Sequence, residues 1–175
     1  MNPIVYNLVV NASSITKFTS LFMGVVLNEP IGIYFIIISL FSEIFNFGIK
    51  NIIKQGRPKG AKNCSGYVTF NKVSKSFGMP SGHAESMGLF TSFWLLYLWD
   101  NYKEDNLSIL NVIAIFFLLL VGLYVPYSRI LVGCHTLSQV IVGYIIGIII
   151  GFISYELYKS HFEEEFNKLK EKKIL

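Results

Sequence analysis

The chain has little of the charge that a soluble globular domain needs. Charged residues make up 15% of its 175 residues and hydrophobic residues 53%, and the mean hydropathy is +0.52. Acidic residues are scarcest, with 11 Asp and Glu against 15 Lys and Arg. This composition excludes an ordinary soluble fold and predicts an integral membrane protein.

Cysteine is also rare, with Cys64 and Cys134 as the two in the chain. Two cysteines exclude a disulfide framework and a cysteine-type zinc site. They can pair with each other if both lie on an oxidising side of the membrane. The N-terminal stretch lacks a basic region before a clean apolar core and an A-x-A site, so we expect no cleaved signal peptide.

Apolar stretches separated by polar loops predict an all-α fold, a polytopic transmembrane bundle of four to five helices forming a single domain over residues 1–175. Polar residues interrupt residues 4–27, which form either a poor transmembrane helix or an interfacial amphipathic one. A tight charged turn is expected from Asp100 to Asn106, and a charged tail follows over residues 160–175. The clearer helices are predicted over Pro30 to about Ile53, Ser81 to Trp99, Leu107 to Tyr124 (closed by Pro126) and Thr136 to Tyr158.

Three short segments contain the residues with the strongest chemical signal. Six residues separate Lys50 from Arg57, and five separate Arg129 from His135. The middle segment is Pro80-Ser81-Gly82-His83. Because each segment lies at the end or start of a predicted helix, alternate crossings place all three at one membrane face.

These residue types suit phosphoryl transfer. Lys50, Arg57 and Arg129 supply cations for the spreading negative charge of a phosphoryl group, and guanidinium forks match its oxygens. Ser81-Gly82 opens an apolar run, where a helix N-terminus presents backbone N–H groups to an anion. Histidine titrates in the range that a nucleophile and a general acid need.

The segments, written K-x6-RP, PSGH and SR-x5-H, resemble the signature motifs of the type 2 phosphatidic acid phosphatase superfamily over about residues 50–145. The resemblance implies that His135 is the nucleophile, forming a phosphohistidine, and that His83 protonates the leaving group. It implies no metal and no cofactor. The phosphate-binding residues it implies are Lys50, Arg57, Ser81, Gly82 and Arg129.

One position departs from the family pattern. Four residues after the nucleophile the family usually has Asp, and this chain has Gln139. The surrounding residues are similar to the dolichyl-diphosphatase branch, in which we expect Gln here. We therefore expect Gln139 to orient the imidazole of His135.

The resemblance implies a lipid phosphatase acting on a polyprenyl diphosphate, in the endoplasmic reticulum or another internal membrane. Alternatives are a phosphatidate-type monoester phosphatase and a non-catalytic lipid-binding protein; a vanadium haloperoxidase is disfavoured because those enzymes are soluble. Nucleic acid is not an expected partner, because membrane segments interrupt the basic residues. The oligomeric state stays open.

The membrane face of the site also stays open. From Lys50 to His83 the chain has seven Lys or Arg and no acid, which the positive-inside bias assigns to the cytoplasm. The branch resemblance indicates the lumen instead. A glycan on the sequon Asn63-Cys64-Ser65 would establish a lumenal site.

Two acids and a row of glycines fall inside apolar helices. An acid there is costly, so we expect Glu43 to form interhelical hydrogen bonds and Glu85 to pack at an interface. Gly143, Gly147 and Gly151 recur every four residues, which favours close helix packing within the chain over a dimer seam.

Overall fold

The computed structural model describes residues 11–25, 30–61, 64, 76–105, 109–165 and 168. Within these residues the fold is all-α, as predicted, and a π-helical turn over Tyr158–Phe162 follows the last helix. Three helical stretches, Pro30–Ile53, Asn111–Leu131 and Leu137–Glu165, are long and apolar enough to cross a membrane. The five α-helices are α1 (Ala12–Val25), α2 (Pro30–Ile53), α3 (Gly82–Asp105), α4 (Ile109–Leu131) and α5 (Leu137–Leu157).

Two predicted boundaries are wrong. Helix α3 continues through the expected turn at Asp100 as far as Asp105, because no Gly or Pro interrupts this stretch. Helix α4 continues past Pro126 to Leu131. Proline is tolerated inside membrane helices when neighbouring groups satisfy the freed backbone, and Arg129 consequently lies in the last turn of a helix, where the dipole favours a cation.

Helix α1 packs against α2 and is part of the bundle. Lys17 of α1 donates to the Glu43 carboxylate of α2, which confirms the expected interhelical role of Glu43. Of the stretch 4–27, residues 4–10 and 26–27 lie outside the described residues. Helix α1 has 14 residues, fewer than the roughly 20 needed to span a membrane.

Helices α3 and α5 approach each other through the glycine row. A Cβ atom on Gly143 would lie 2.5 Å from the backbone oxygen of Ser81, and one on Gly147 would lie 2.0 Å from that of Glu85. A Cβ atom on Gly151 would lie 2.0 Å from Ser92 Oγ. The row therefore serves packing within the chain.

An aromatic core fills the bundle at the end remote from the three motifs. Phe35 of α2 packs against Phe93 and Trp94 of α3, with ring centroids 5.1 and 5.6 Å apart. Tyr155 of α5 meets Phe93 edge-on. The outer faces remain apolar and exposed, as with Ile44 at 71%, which suits helices surrounded by lipid.

We predict that Gly147→Ala destabilises the protein and that Gly48→Ala does not. The first adds a methyl group against the α3 backbone, whereas a Cβ on Gly48 meets nothing within 4 Å. Overpacking costs about 1–3 kcal/mol, and alanine at an open helical position gains up to about 1 kcal/mol. Thermal unfolding in detergent measures both, and equal shifts in Tm would contradict the packing role of Gly147.

Candidate active site

The three motif segments meet at one end of the bundle. Arg57 follows the end of α2, Ser81 precedes α3, Arg129 lies in the last turn of α4, and His135 precedes α5. The Ser81 N–H donates to the backbone oxygen of Gln139 at 3.0 Å. This bond holds the start of α3 against the first turn of α5.

Hydrogen bonds around Gln139 determine the orientation of its side chain. Nε2 of Gln139 donates to the backbone oxygen of Gly56 at 2.8 Å and to Oε1 of Gln55 at 3.1 Å. Because a carbonyl oxygen only accepts, the amide nitrogen must lie on this side. Oε1 of Gln139 therefore faces His135, with 3.2 Å to its Nδ1.

The same network determines the tautomer of His135. Oε1 of Gln139 is an acceptor, so Nδ1 of His135 carries the proton and donates it. On the other side of the ring, Nε2 lies 2.8 Å from Nη1 of Arg57. Because a guanidinium only donates, Nε2 of His135 is an unprotonated acceptor with a lone pair.

His135 is buried, with 3% of its surface exposed. Burial lowers the pKa of His135 from 6.5 to about 3, and the nearby charges of Arg57, Lys50 and Arg129 lower it too, while the hydrogen bond with Gln139 opposes the shift. The imidazole is therefore neutral at physiological pH in the absence of an anion.

Arg57 contacts both the candidate nucleophile, His135, and the loop that leads into α3. Its Nε and Nη2 donate to Ser76 at 3.0 and 2.9 Å, and its Nη1 also reaches the backbone oxygen of Cys134 at 3.2 Å. Burial lowers the pKa of Arg57, but arginine remains protonated in proteins. The result is a fixed guanidinium beside Nε2 of His135.

A disulfide braces the other side of the pocket. Cys64 and Cys134 form this bond, so the pairing that the sequence left open is present. Nη2 of the fully buried Arg129 donates to the backbone oxygen of Cys64 at 3.2 Å. Through this hydrogen bond and the disulfide, Arg129 is connected to Cys134, the residue that precedes His135.

Lys50 and Ser81 lie at the junction of α2 and α3. The Lys50 ammonium donates to the backbone oxygens of Pro80 and Phe77 and so holds the loop that leads into α3. The buried Ser81 Oγ has no hydrogen-bond partner among the residues that the structure describes. It is a donor available to an anion in the pocket.

His83 lies in the first turn of α3, one residue after Gly82. It lines a cavity of about 170 Å³ between α2 and α3. The role of His83 as the acid that protonates a leaving group stays a prediction. The sequon asparagine, Asn63, and three basic loop residues (Lys62, Lys72 and Lys75) lie outside the described residues.

Sequence reasoning missed several supporting residues. Gln55 and Gly56 accept hydrogen bonds from the Gln139 amide. Their position immediately before Arg57 was the sequence signal that could have identified them. Ser42 and Asn46 both donate to Glu85. Together with Lys50 they form a polar row at four-residue spacing on α2, which places them on one helix face.

A helical bundle with membrane-spanning helices and a buried pocket of histidine and arginine at one end defines a membrane protein whose pocket has the charge to suit an anion. The family model of the PAP2 superfamily matches residues 31–163. The chain belongs to this superfamily.

Curated proteins and a solved structure are similar to this chain. The chain is similar to dolichyldiphosphatase 1 of Dictyostelium discoideum (35% identity, 66% of this chain and 47% of the relative) and to dolichyldiphosphatase of Saccharomyces cerevisiae (37%, 64% and 45%). It thus spans less than half the length of these curated relatives. The crystal structure of a transmembrane PAP2 type phosphatidylglycerolphosphate phosphatase from Bacillus subtilis has the same fold, with a TM-score of 0.61 and 16% identity, over 92% of this chain and 72% of that one.

We predict that Gln139→Ala lowers phosphatase activity about 10²-fold, because a ring without its orienting acceptor is misplaced for attack. Gln139→Asp should stay active with a changed pH profile. A carboxylate favours the imidazolium and raises the pKa of His135 above about 3. As pH falls, the neutral nucleophile is then lost sooner, so the acidic limb of kcat/KM moves to higher pH.

Ser138→Asp is the matched control, because it adds a carboxylate at the adjacent, exposed position. We expect its acidic limb to match that of the wild type. Wild-type activity of Gln139→Ala across the pH range would contradict the orienting role.

Proposed function

We propose that this chain is an integral membrane lipid phosphatase that hydrolyses a polyprenyl diphosphate of the dolichyl type, through a phosphohistidine on His135 and without a metal. The observation that carries the proposal is the hydrogen-bond network that leaves Nε2 of a neutral His135 unprotonated beside Arg57. A phosphohistidine intermediate is typical of the family.

In the first half of the reaction, the lone pair on Nε2 of His135 attacks phosphorus. Nη1 of Arg57 gives up its hydrogen bond to that lone pair and donates to the phosphate oxygens, where Arg129, Lys50, the Ser81 hydroxyl and the Gly82 N–H also bind. The bond from phosphorus to the leaving oxygen breaks, and His83 gives that oxygen a proton. Polyprenyl phosphate departs.

In the second half, water attacks the phosphohistidine. His83, now neutral, accepts a proton from this water, and the bond between phosphorus and Nε2 breaks. Inorganic phosphate leaves, and His83 and His135 return to their starting protonation states. The charge on the transferred group is balanced throughout by fixed cations, which substitute for a metal.

An apolar groove supports a long-chain lipid substrate. It has a volume of about 230 Å³ and runs between α4 and α5, where Ile130 and Leu137 form part of its wall. Ile130 directly follows Arg129, and Leu137 is two residues from His135. A lipid whose phosphate binds His135 can therefore place its first chain units in this groove.

The disulfide supports an active site on the oxidising side of the membrane. Disulfides persist in oxidising compartments and are rare where thiols are kept reduced. Since Cys134 adjoins His135, the pocket and the bridge share one face. This favours the lumen of an internal membrane over the cytoplasm.

We predict that His135→Ala abolishes turnover, because no other group in the proposed mechanism attacks phosphorus. His83→Ala should lower kcat by about 10²–10⁴-fold, the usual contribution of a general acid. Phosphate release in detergent measures both. Residual activity equal to the wild type in either variant would contradict its assignment.

We predict that activity survives EDTA and that vanadate inhibits, since fixed cations replace a metal and vanadate resembles pentacoordinate phosphorus. Arg129→Lys keeps the charge but loses the fork, and should lower kcat/KM about 10²-fold or more. Lys168→Ala, on the exposed tail, is the control. Activity abolished by EDTA and restored by Mg²⁺ would indicate another mechanism.

A substrate panel tests the proposed specificity. We expect the purified protein to release phosphate fastest from polyprenyl diphosphate, and more slowly from polyprenyl phosphate and phosphatidate. A preference for phosphatidate would replace the proposed substrate with the monoester alternative. No release from any of the three would favour a lipid-binding protein.

A further inference from the structure

Glu85 is a buried carboxylate that the reaction above does not use. It lies two residues after His83, in the first turn of α3, and 1% of its surface is exposed. Ser42 Oγ of α2 donates to its Oε1 at 2.7 Å, and Asn46 Nδ2 of α2 donates to its Oε2. Burying a carboxylate in an apolar bundle is costly, so its presence calls for an explanation.

Cross-linking two helices does not require a charge. A neutral amide at position 85 could bond both Ser42 and Asn46, since the amide of Asn46 can present either its oxygen or its nitrogen. Neutral groups also lose less hydration free energy on burial. Burial raises the pKa of Glu85, but both of its oxygens accept hydrogen bonds, which favours the ionised carboxylate. The negative charge is the feature that a neutral amide would lack.

The cavity between α2 and α3 connects this charge with His83. His83 and Glu85 both line the cavity, together with Glu43. The charged groups around it are Glu43 and Lys50 from α2, Lys17 from α1, and Glu85 from α3 itself. Glu43 is bonded to Lys17, and that ammonium offsets its charge. Glu85 is shielded from solvent, with 1% of its surface exposed, so its charge is screened less.

We propose that Glu85 is a positioning residue for the general acid His83, an inference that rests on the proposed function. Its negative charge favours the protonated imidazole, which is the form that gives a proton to the leaving oxygen. Its hydrogen bonds with Ser42 and Asn46 hold the first turn of α3, and with it His83, against α2.

Two aryl phosphates of nearly equal size separate this role from a structural one. Phenolate is a poor leaving group and needs a proton, whereas p-nitrophenolate leaves without one. For Glu85→Gln we expect kcat/KM for phenyl phosphate to fall about 10-fold or more further than kcat/KM for p-nitrophenyl phosphate. A merely structural defect would lower both rates by the same factor, and that result would overturn the proposal.

Three variants complete the test. Glu43→Gln removes the other carboxylate of the cavity and should keep the wild-type ratio of the two rates; a selective loss there would contradict the assignment to Glu85. Ser42→Ala removes one of the two hydrogen bonds but no charge, and should change that ratio less than Glu85→Gln does. If Glu85→Gln does not fold, Glu85→Asp retains the charge and should keep the ratio even where both rates fall; a selective loss in Glu85→Asp would overturn the proposal.

A wild-type protein inactive on both aryl phosphates and all three lipids would overturn the proposed function itself.

Discussion

The close approach of α3 and α5 is the constraint on which the site depends. Glycines at 143 and 147 let α5 lie directly against the backbone of Ser81, which precedes α3, and of Glu85 in α3. The Ser81 N–H can then bond the Gln139 backbone oxygen, which places the PSGH segment next to the residue that orients His135. A side chain at either glycine would separate two of the three motif segments.

Electrostatics then give the pocket its chemical character. Three cations surround a histidine that burial and those charges keep neutral. The cations repel one another less once an anion lies between them, so phosphate binding and the release of Arg57 from His135 favour each other. In the free protein the lone pair of His135 lies under a guanidinium, and in the proposed reaction an anion displaces it.

The sequence predicted the parts of the protein that depend on local pattern. Apolar length predicted α2 and α5, and the position of each motif segment at the end or start of a helix placed the pocket at one end. It misjudged Pro126, because whether a proline ends a membrane helix depends on neighbours that satisfy the backbone. It placed Glu85 at an interface, which the structure confirms, but did not identify its partners, since Ser42 and Asn46 lie about 40 residues earlier in the chain and such pairing follows from tertiary packing.

The central claim is that Gln139 directs Nε2 of His135 toward phosphorus. The most direct test is rapid quenching of the enzyme with a ³²P-labelled lipid diphosphate under alkaline conditions, followed by mass spectrometry and identification of the phosphohistidine isomer. The account predicts label on the peptide that contains His135, attached at Nε2. Label attached at Nδ1, label on His83, or no covalent label in an enzyme that turns over would contradict it.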